Sequence, residues 1–287
     1  MLNRSGEMVE PLAGVEVVAS DLYSADNVRK LCKGAKVVYQ AAQPKYHQWV
    51  DKFPQLQQSI IDGLTGSEAK LVLVENLYMY GASNGKPMTE DLPYNAHTRK
   101  GKVRAEMSKA ALAAHQSGEV AVAIGRGSDF FGPWGLNSTI GERVFYPLLA
   151  GKAAQATGWL DLPHTHTYTV DFGKTLVILG ERSEADGQAW HVPNDMPNIT
   201  QAELIRMIAV EAGVAPKMSG MGKFMMWMGG LFIPEARETL EMMYEFDKPF
   251  VVDSSKFETT FGMKATPLEQ AAQDTVAWYK RHAQGKQ

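Results

Sequence analysis

The run KLVLVENLYMYG, residues 70–81, is apolar at nearly every position before it closes on Gly81. A short continuous run rich in Val and Leu, bounded by turn residues, predicts a strand buried on both faces of a parallel sheet. Asn84-Gly85 and Pro87 then mark a loop. From residue 97 the pattern HTRKGKVRAEMSKAALAAHQ switches to helical spacing, with its Leu and Ala placed to face a sheet. The alternation extends both ways. GVEVVASD, 14–21, predicts a strand, SADNVRKLCKG a helix capped by Ser24, and AKVVYQAAQP the next strand. QWVDKFPQLQQSIIDGL predicts a helix that Pro54 kinks or joins in its first turn. Further on, VAVAIGRG predicts a strand and NSTIGERVFYPLLAG a helix, and Thr200 with Glu203 predicts a capping box. Strands alternating with helices imply a parallel sheet covered on both faces. Ligands of such sheets sit beyond the carboxyl ends of the strands. Residues 76–81 are therefore expected to face a site, with the start of the following helix as its other wall.

Several positions carry a family resemblance. They are Tyr80-Gly81, Lys102 with Ala105-Glu106, the Arg126…Phe131-Gly132-Pro133 tail, and Asp253, Ser255-Lys256, Phe261-Gly262, Thr266-Pro267 and Trp278-Tyr279 near the end. In order and spacing the chain from Asn3 onward resembles the extended, NAD-dependent epimerase/dehydratase branch of the short-chain dehydrogenase/reductase superfamily. The resemblance implies an α/β fold: a Rossmann-like doubly wound parallel sheet with a smaller C-terminal substrate domain. Residues 1–133 would form the NAD(P)-binding domain, with returning segments near 165–195 and 250–256. Residues 134–287 would mainly form the substrate domain.

The resemblance also assigns roles. The catalytic positions fall on Asn76, Thr98 and Lys102, where Asn76 replaces the family's Ser or Thr and Thr98 its Tyr. An aliphatic hydroxyl is too weak an acid for the lost phenol's work, so Tyr78, two residues from Asn76, is the expected replacement acid. Lys102 is expected to hold the ribose or a phenolate. Cofactor contacts are expected from Asp21-Leu22, Ala41, Ala42, Lys102 and Arg126. Arg4 lies where an arginine selects the 2′-phosphate, which favours NADP over NAD. Substrate contacts are expected from Tyr80, His47, Phe131, His164 and His166, with a homodimer through helices 48–63 and 102–115. The family's first strand and glycine-rich turn are not found. The nearest glycine pattern is Gly220-Met221-Gly222, which no predicted strand precedes. The first β-α unit is expected to be missing, and NAD(P) binding to be weak in this form.

Composition narrows the alternatives. Of 287 residues 45% are hydrophobic and 21% charged, with a net charge of -3. That balance gives no general attraction to nucleic acid or an anionic membrane. Cys32 is the only cysteine, so no internal disulfide forms and a cytoplasmic location fits. His164-x-His166 alone supplies too few ligands for a metal site, and none is expected. The Met-rich stretch 223–246 reads as core or lid helices, its apolar part being too short to span a bilayer. The function expected is an NAD(P)-dependent oxidoreductase or epimerase/dehydratase acting on a sugar nucleotide or another small carbonyl or alcohol substrate. The alternatives are a non-catalytic NAD(P)-binding or regulatory protein of the same fold, and an apo scaffold.

Overall fold

The chain begins with a short strand, β1 (Leu2–Asn3), paired in parallel with β2 (Val18–Ala19). The structure is a computed structural model that describes residues 1–10, 12–230 and 234–283. Helix α1 (Ala25–Leu31) follows, and the Ser24 hydroxyl accepts from the Asn27 amide as the sequence predicts. Then come β3 (Val37–Gln40), α2 (Trp49–Leu64), β4 (Lys70–Glu75), α3 (Arg99–Gln116) and β5 (Ala121–Arg126).

The second half opens with β6 (Asp129–Phe131), α4 (Glu142–Leu149) and β7 (Ala154–Thr157). Next are β8 (His166–Tyr168), α5 (Thr169–Glu181), β9 (Ala189–His191) and α6 (Gln201–Ala212). The chain continues through β10 (Met218–Met221), α7 (Lys223–Gly230) and α8 (Pro234–Thr239) to a 3-10 turn, Leu240–Phe246. Helices α9 (Ser255–Phe261) and α10 (Leu268–Ala283) complete it. Residues 231–233 of the expected Met-rich lid lie outside the described residues.

The central sheet has the order β3-β4-β5-β9, every pair parallel. Strands β4, β5 and β9 are largely buried on both faces, whereas Tyr39 of β3 is exposed, and side chains still alternate. Leu71, Leu73, Val122 and Ile124 pack with α2 and α3. Val72 and Ala123 pack on the opposite face with Leu179 of α5 and Phe257 of α9. Each fully buried Leu or Ile contributes roughly 1.5–3 kcal/mol, so this double-faced burial fixes the strand register. A second core joins α4, α6 and α10 to β7. The capping box at Thr200 and Glu203 forms as predicted.

Two local expectations are corrected. The strand expected over 14–21 contracts to Val18–Ala19, because β1 offers only two residues of backbone to pair with. Val15 is instead exposed, beside an open concavity lined by Met1, Leu2, Val18 and Leu31. The β1–β2 pair forms a sheet of its own, so the doubly wound sheet comes in two pieces. In the 70–81 run the strand ends at Glu75 and Tyr78–Tyr80 turns as a 3-10 helix. Gly81 closes that turn at φ +69°, where a Cβ would lie 2.7 Å from the Asn95 carbonyl oxygen. Asp171 sits in the first turn of α5, and its carboxylate accepts from the amide and the hydroxyl of Thr266 at 2.6 and 2.7 Å.

Candidate active site

A cavity of about 860 Å³ lies beyond the carboxyl ends of β3, β4 and β5, where an open parallel sheet places its ligands. Tyr46 reaches it from the segment after β3, Asn76 and Tyr78 from the turn after β4, and Asp129 from just beyond β5. Met242, Glu245 and Phe246 cover it from the Leu240–Phe246 turn.

Two phenols meet inside. The Tyr46 and Tyr78 hydroxyl oxygens are 3.3 Å apart, and Trp49 packs beside both rings. Burial pushes both phenols above their ordinary pKa. Its neighbours Tyr46, Glu245 and Asp129 push Tyr78 further upward. Both tyrosines therefore remain protonated hydrogen-bond donors. The buried Lys100 ammonium lies 4.6 Å from the Tyr46 ring centroid and pairs with Glu238 and, at 2.7 Å, with Glu241. These ion pairs tie the covering segment to the first turn of α3.

Asp129, Glu142 and Glu245 also line the cavity, and Asp129 and Glu245 are in opposite states. The register of β6 on β8 sets Asp129 opposite His166. His164 Nε2 contacts Asp129 Oδ2 at 2.5 Å, and its ring stacks on Phe246 and Phe250. Burial opposes ionisation of Asp129, but the His164 contact outweighs it and holds this carboxyl below its ordinary value. Glu245 goes the other way. Burial first, and the Asp129 charge second, raise its pKa well above the usual carboxylate range. Its one described side-chain partner is the Tyr244 hydroxyl at 3.4 Å, and among the described residues no Lys or Arg pairs with it.

The structure brings together only some of the residues that the sequence singled out. Asn76 and Tyr78 both reach the cavity, but not by sharing a strand face: the Asn76 side chain accepts from the Tyr78 amide at 3.3 Å within the turn. His164 and His166 lie 5.0 Å apart, centroid to centroid, as expected of neighbours along a strand. His166 is buried with neither ring nitrogen bonded, and burial lowers its pKa to about 3. Arg4 and Asp21 both act on Tyr23, so the ends of β1 and β2 converge there. Ala41 is exposed and Ala42 half-buried just past β3. Leu22 packs on the α2 side of the core, and its carbonyl accepts from Ser59.

The other positions lie outside this group. Thr98 is the N-cap of α3, accepting from the Gly101 amide at 3.1 Å, and it does not line the cavity. Lys102 is exposed two residues beyond the buried Lys100. Tyr80 and Arg126 belong to a closed network beneath the cavity. Arg126 donates from Nε to Glu75 at 3.0 Å, and from its terminal nitrogens to Tyr80 and Ser108 at 2.6 Å and to Tyr94. Tyr80 in turn bonds His191 Nε2 at 2.9 Å. With these bonds made, the Arg126 guanidinium is committed to the core and not to a cofactor. Phe131 is fully buried against Tyr168. His47 is exposed and lies outside the cavity lining. Cys32, half-buried, has its thiol pushed up by burial, the opposite of an activated nucleophile.

Sequence reasoning missed Asp129, Glu245 and Lys100. Asp129 carried a signal, since it follows a predicted strand's carboxyl end. Glu245 stood out only as a charge inside the apolar EMMYEF. Among Arg99, Lys100 and Lys102, no spacing marked which cation turns inward.

No protein-family model and no curated protein sequence matches the chain. Solved structures do. An epimerase from the methanogen Methanothermobacter thermautotrophicus superposes with a TM-score of 0.78 at 14% identity, covering 99% of this chain and 84% of that one. dTDP-glucose 4,6-dehydratase from Bacillus anthracis, in complex with NAD, gives 0.74 at 17% identity, over 93% of this chain and 80% of that one. UDP-glucuronic acid 4-epimerase from Bacillus cereus, in complex with NAD, gives 0.73 at 15% identity, over 92% and 80%. These likenesses establish a Rossmann-type α/β fold. Among the described residues, no helix is long and apolar enough to cross a membrane, and no group of three or more His, Cys, Asp or Glu could hold a metal ion.

Proposed function

We propose that this protein is an NAD(P)-dependent oxidoreductase of the epimerase/dehydratase type, acting on a sugar nucleotide or a related small alcohol or carbonyl. One observation carries the reading. The fold shared with NAD-dependent sugar-nucleotide enzymes places a cavity of about 860 Å³, lined by hydrogen-bonding phenols and carboxyl groups, where such folds act on substrates. Within it Tyr78, supported by Tyr46, donates a hydrogen bond to a substrate oxygen, and Asn76 orients the Tyr78 turn. The Trp49 ring and the Phe246 side of the cavity exclude water around that oxygen. Bound dinucleotide would supply or accept the hydride.

The residues fit that cofactor in part. Arg4 and Asp21, converging at Tyr23, suit the adenosine end, with Ala41 and Ala42 beside β3. Arg4 favours NADP. For the pyrophosphate, one strand-to-helix turn carries glycines: against the expectation from sequence, strand β10 does precede Gly220-Met221-Gly222, which leads into α7, but Met225 stands where the dinucleotide pattern has its third glycine. A homodimer through α2 and α3 is part of the same proposal, to be read from light scattering. The exposure of Lys102 and the capping role of Thr98 favour the second reading, a non-catalytic dinucleotide-binding protein.

The test is incubation of the chain with NAD or NADP and either dTDP-glucose or UDP-glucuronic acid, following nicotinamide absorbance and product by chromatography. Conversion that Tyr78→Phe slows at least tenfold supports the enzyme. Dinucleotide binding without conversion of any substrate favours the second reading.

A further inference from the structure

We propose that Glu245 is the proton-exchanging residue of the cavity, passing a proton to a substrate oxygen held beside Tyr78 and taking one back in the reverse direction. The inference rests on the oxidoreductase reading for the hydride alone. Three observations on Glu245 itself carry it. It lines the cavity although only 4% exposed, so its carboxyl meets a bound ligand more readily than bulk water. It has no cationic partner among the described residues, only the Tyr244 hydroxyl at 3.4 Å. It shares the cavity with Asp129, whose negative charge is fixed by His164 at 2.5 Å.

Buried charges are normally paired or else neutralised. Asp129 is paired with His164, whereas Glu245 has no cationic partner among the described residues, so the proton shared by these two carboxyl groups resides on Glu245. Two carboxyl groups whose surroundings drive them apart are the usual arrangement of an acid beside a fixed charge. The titratable groups acting on Glu245 are Asp129 from β6, Tyr244 from its own turn, and Tyr46 and Tyr78 across the cavity, with His164 behind Asp129 and Lys100 beyond the Tyr46 ring; Lys45, and Glu142 and Arg143 of α4, also line the cavity. All three tyrosines have raised pKa values, which leaves Glu245 the strongest neutral acid of the group.

In the reducing direction, the carboxyl O–H bond of Glu245 breaks and an O–H bond forms on the substrate's carbonyl oxygen. A reduced nicotinamide dinucleotide, when bound, would supply the hydride that the carbonyl carbon needs to become the alcohol. Glu245 is left as a carboxylate, repelled by Asp129 and ready to recover a proton. The Asp129–His164 pair touches the reaction only through Glu245 and is a positioning element.

Two measurements on the full chain decide the matter. The first needs no turnover: an infrared pH titration that follows the protonated carboxyl band. The band is expected to persist at neutral pH, to vanish in Glu245→Gln, and to titrate at lower pH in Asp129→Asn. A band absent at neutral pH, or unchanged in Glu245→Gln, overturns the proposal whatever the activity. The second is the pH profile of turnover with dTDP-glucose or UDP-glucuronic acid. Glu245→Gln is expected to lower kcat at least 100-fold with KM within threefold, and Asp129→Asn to shift the basic limb to lower pH. Wild-type kcat in Glu245→Gln overturns the proposal. Absence of any turnover in the parent chain counts against the oxidoreductase reading, and the infrared band then decides the role of Glu245 on its own.

Discussion

At the residue scale, the molecule separates buried charges that are satisfied from those that are poised. Glu75, Arg126 and Arg104 are all nearly inaccessible, and Glu75 holds Arg126 at 3.0 Å and Arg104 at 3.6 Å. Breaking a buried pair by removing one partner leaves an uncompensated charge and costs about 3–5 kcal/mol. Arg126→Ala is therefore expected to lower the urea midpoint sharply, whereas Lys102→Ala should leave it within about 0.5 kcal/mol, as for an ordinary surface change. The histidines predict a pH dependence. Burial lowers the pKa of His166 and His191 from 6.5 to about 3, and both are neutral in the fold. Above pH 6.5 neither state binds the extra proton and stability is fully present. As pH falls toward 3 the unfolded chain takes up protons first, so stability is lost at ~1.4 kcal/mol per pH unit for each histidine. Unfolding midpoints at pH 7 and pH 5 should differ accordingly, and His166→Phe, which removes two unbonded nitrogens, should halve the slope. Little of this was legible beforehand. Arg126 could be picked out by position after a strand, but whether it faces a cofactor or a buried glutamate depends on Glu75, Tyr80 and Tyr94 closing around it from distant segments.

At the scale of elements, periodicity succeeded where local pattern and tertiary packing agree. The strands β3, β4 and β5 and helices α1, α2 and α3 fall where alternation placed them, because each buries its apolar positions against a neighbour that the alternation also supplies. It failed where a backbone had to find its partner elsewhere: β2 shortens beside a two-residue β1, and Tyr78 turns away once β4 ends. Thr98 shows how position can mislead about chemistry. Its hydroxyl is used on the Gly101 amide, so Thr98→Ala should cost about 1 kcal/mol of stability as a lost cap while Thr98→Ser keeps it. Turnover, where measured, should be unaffected by either change once stability is restored by lower temperature. The Lys100 strap makes a different expectation. Lys100→Met removes the cation that Glu238 and Glu241 share, leaving only exposed Arg99 near them. Amide exchange across residues 238–246 should then quicken several-fold, with α2 and the central sheet unchanged.

At the scale of the whole molecule, the sheet is in two pieces, and the dinucleotide question turns on the space between them. β3 pairs with β4 along one edge, and no strand of the described residues pairs along the other. β1 and β2 form their own ladder, carrying Arg4 and Asp21 at their ends. Arg4 and Asp21 therefore lie on a separate sheet from the cavity, and among the described residues no complete glycine-rich dinucleotide turn lies between them. Oriented amides at a helix N-terminus are the usual grip on a pyrophosphate, and each 1.4 kcal/mol of lost interaction is tenfold in affinity. This chain should accordingly bind NAD or NADP only weakly, with a Kd on the order of millimolar or above. Isothermal calorimetry at low ionic strength measures it directly. If Arg4 reads a 2′-phosphate as proposed, Arg4→Ala should abolish whatever preference for NADP over NAD is found. Tight binding, micromolar or better, would mean that the pyrophosphate is held by groups other than helix amides, and would move the search to Lys45 and Arg143, the cations that line the cavity. Weak binding together with a raised-pKa Glu245 would instead place the chemistry of the cavity ahead of its cofactor grip, with proton exchange as the function most fully built into this fold.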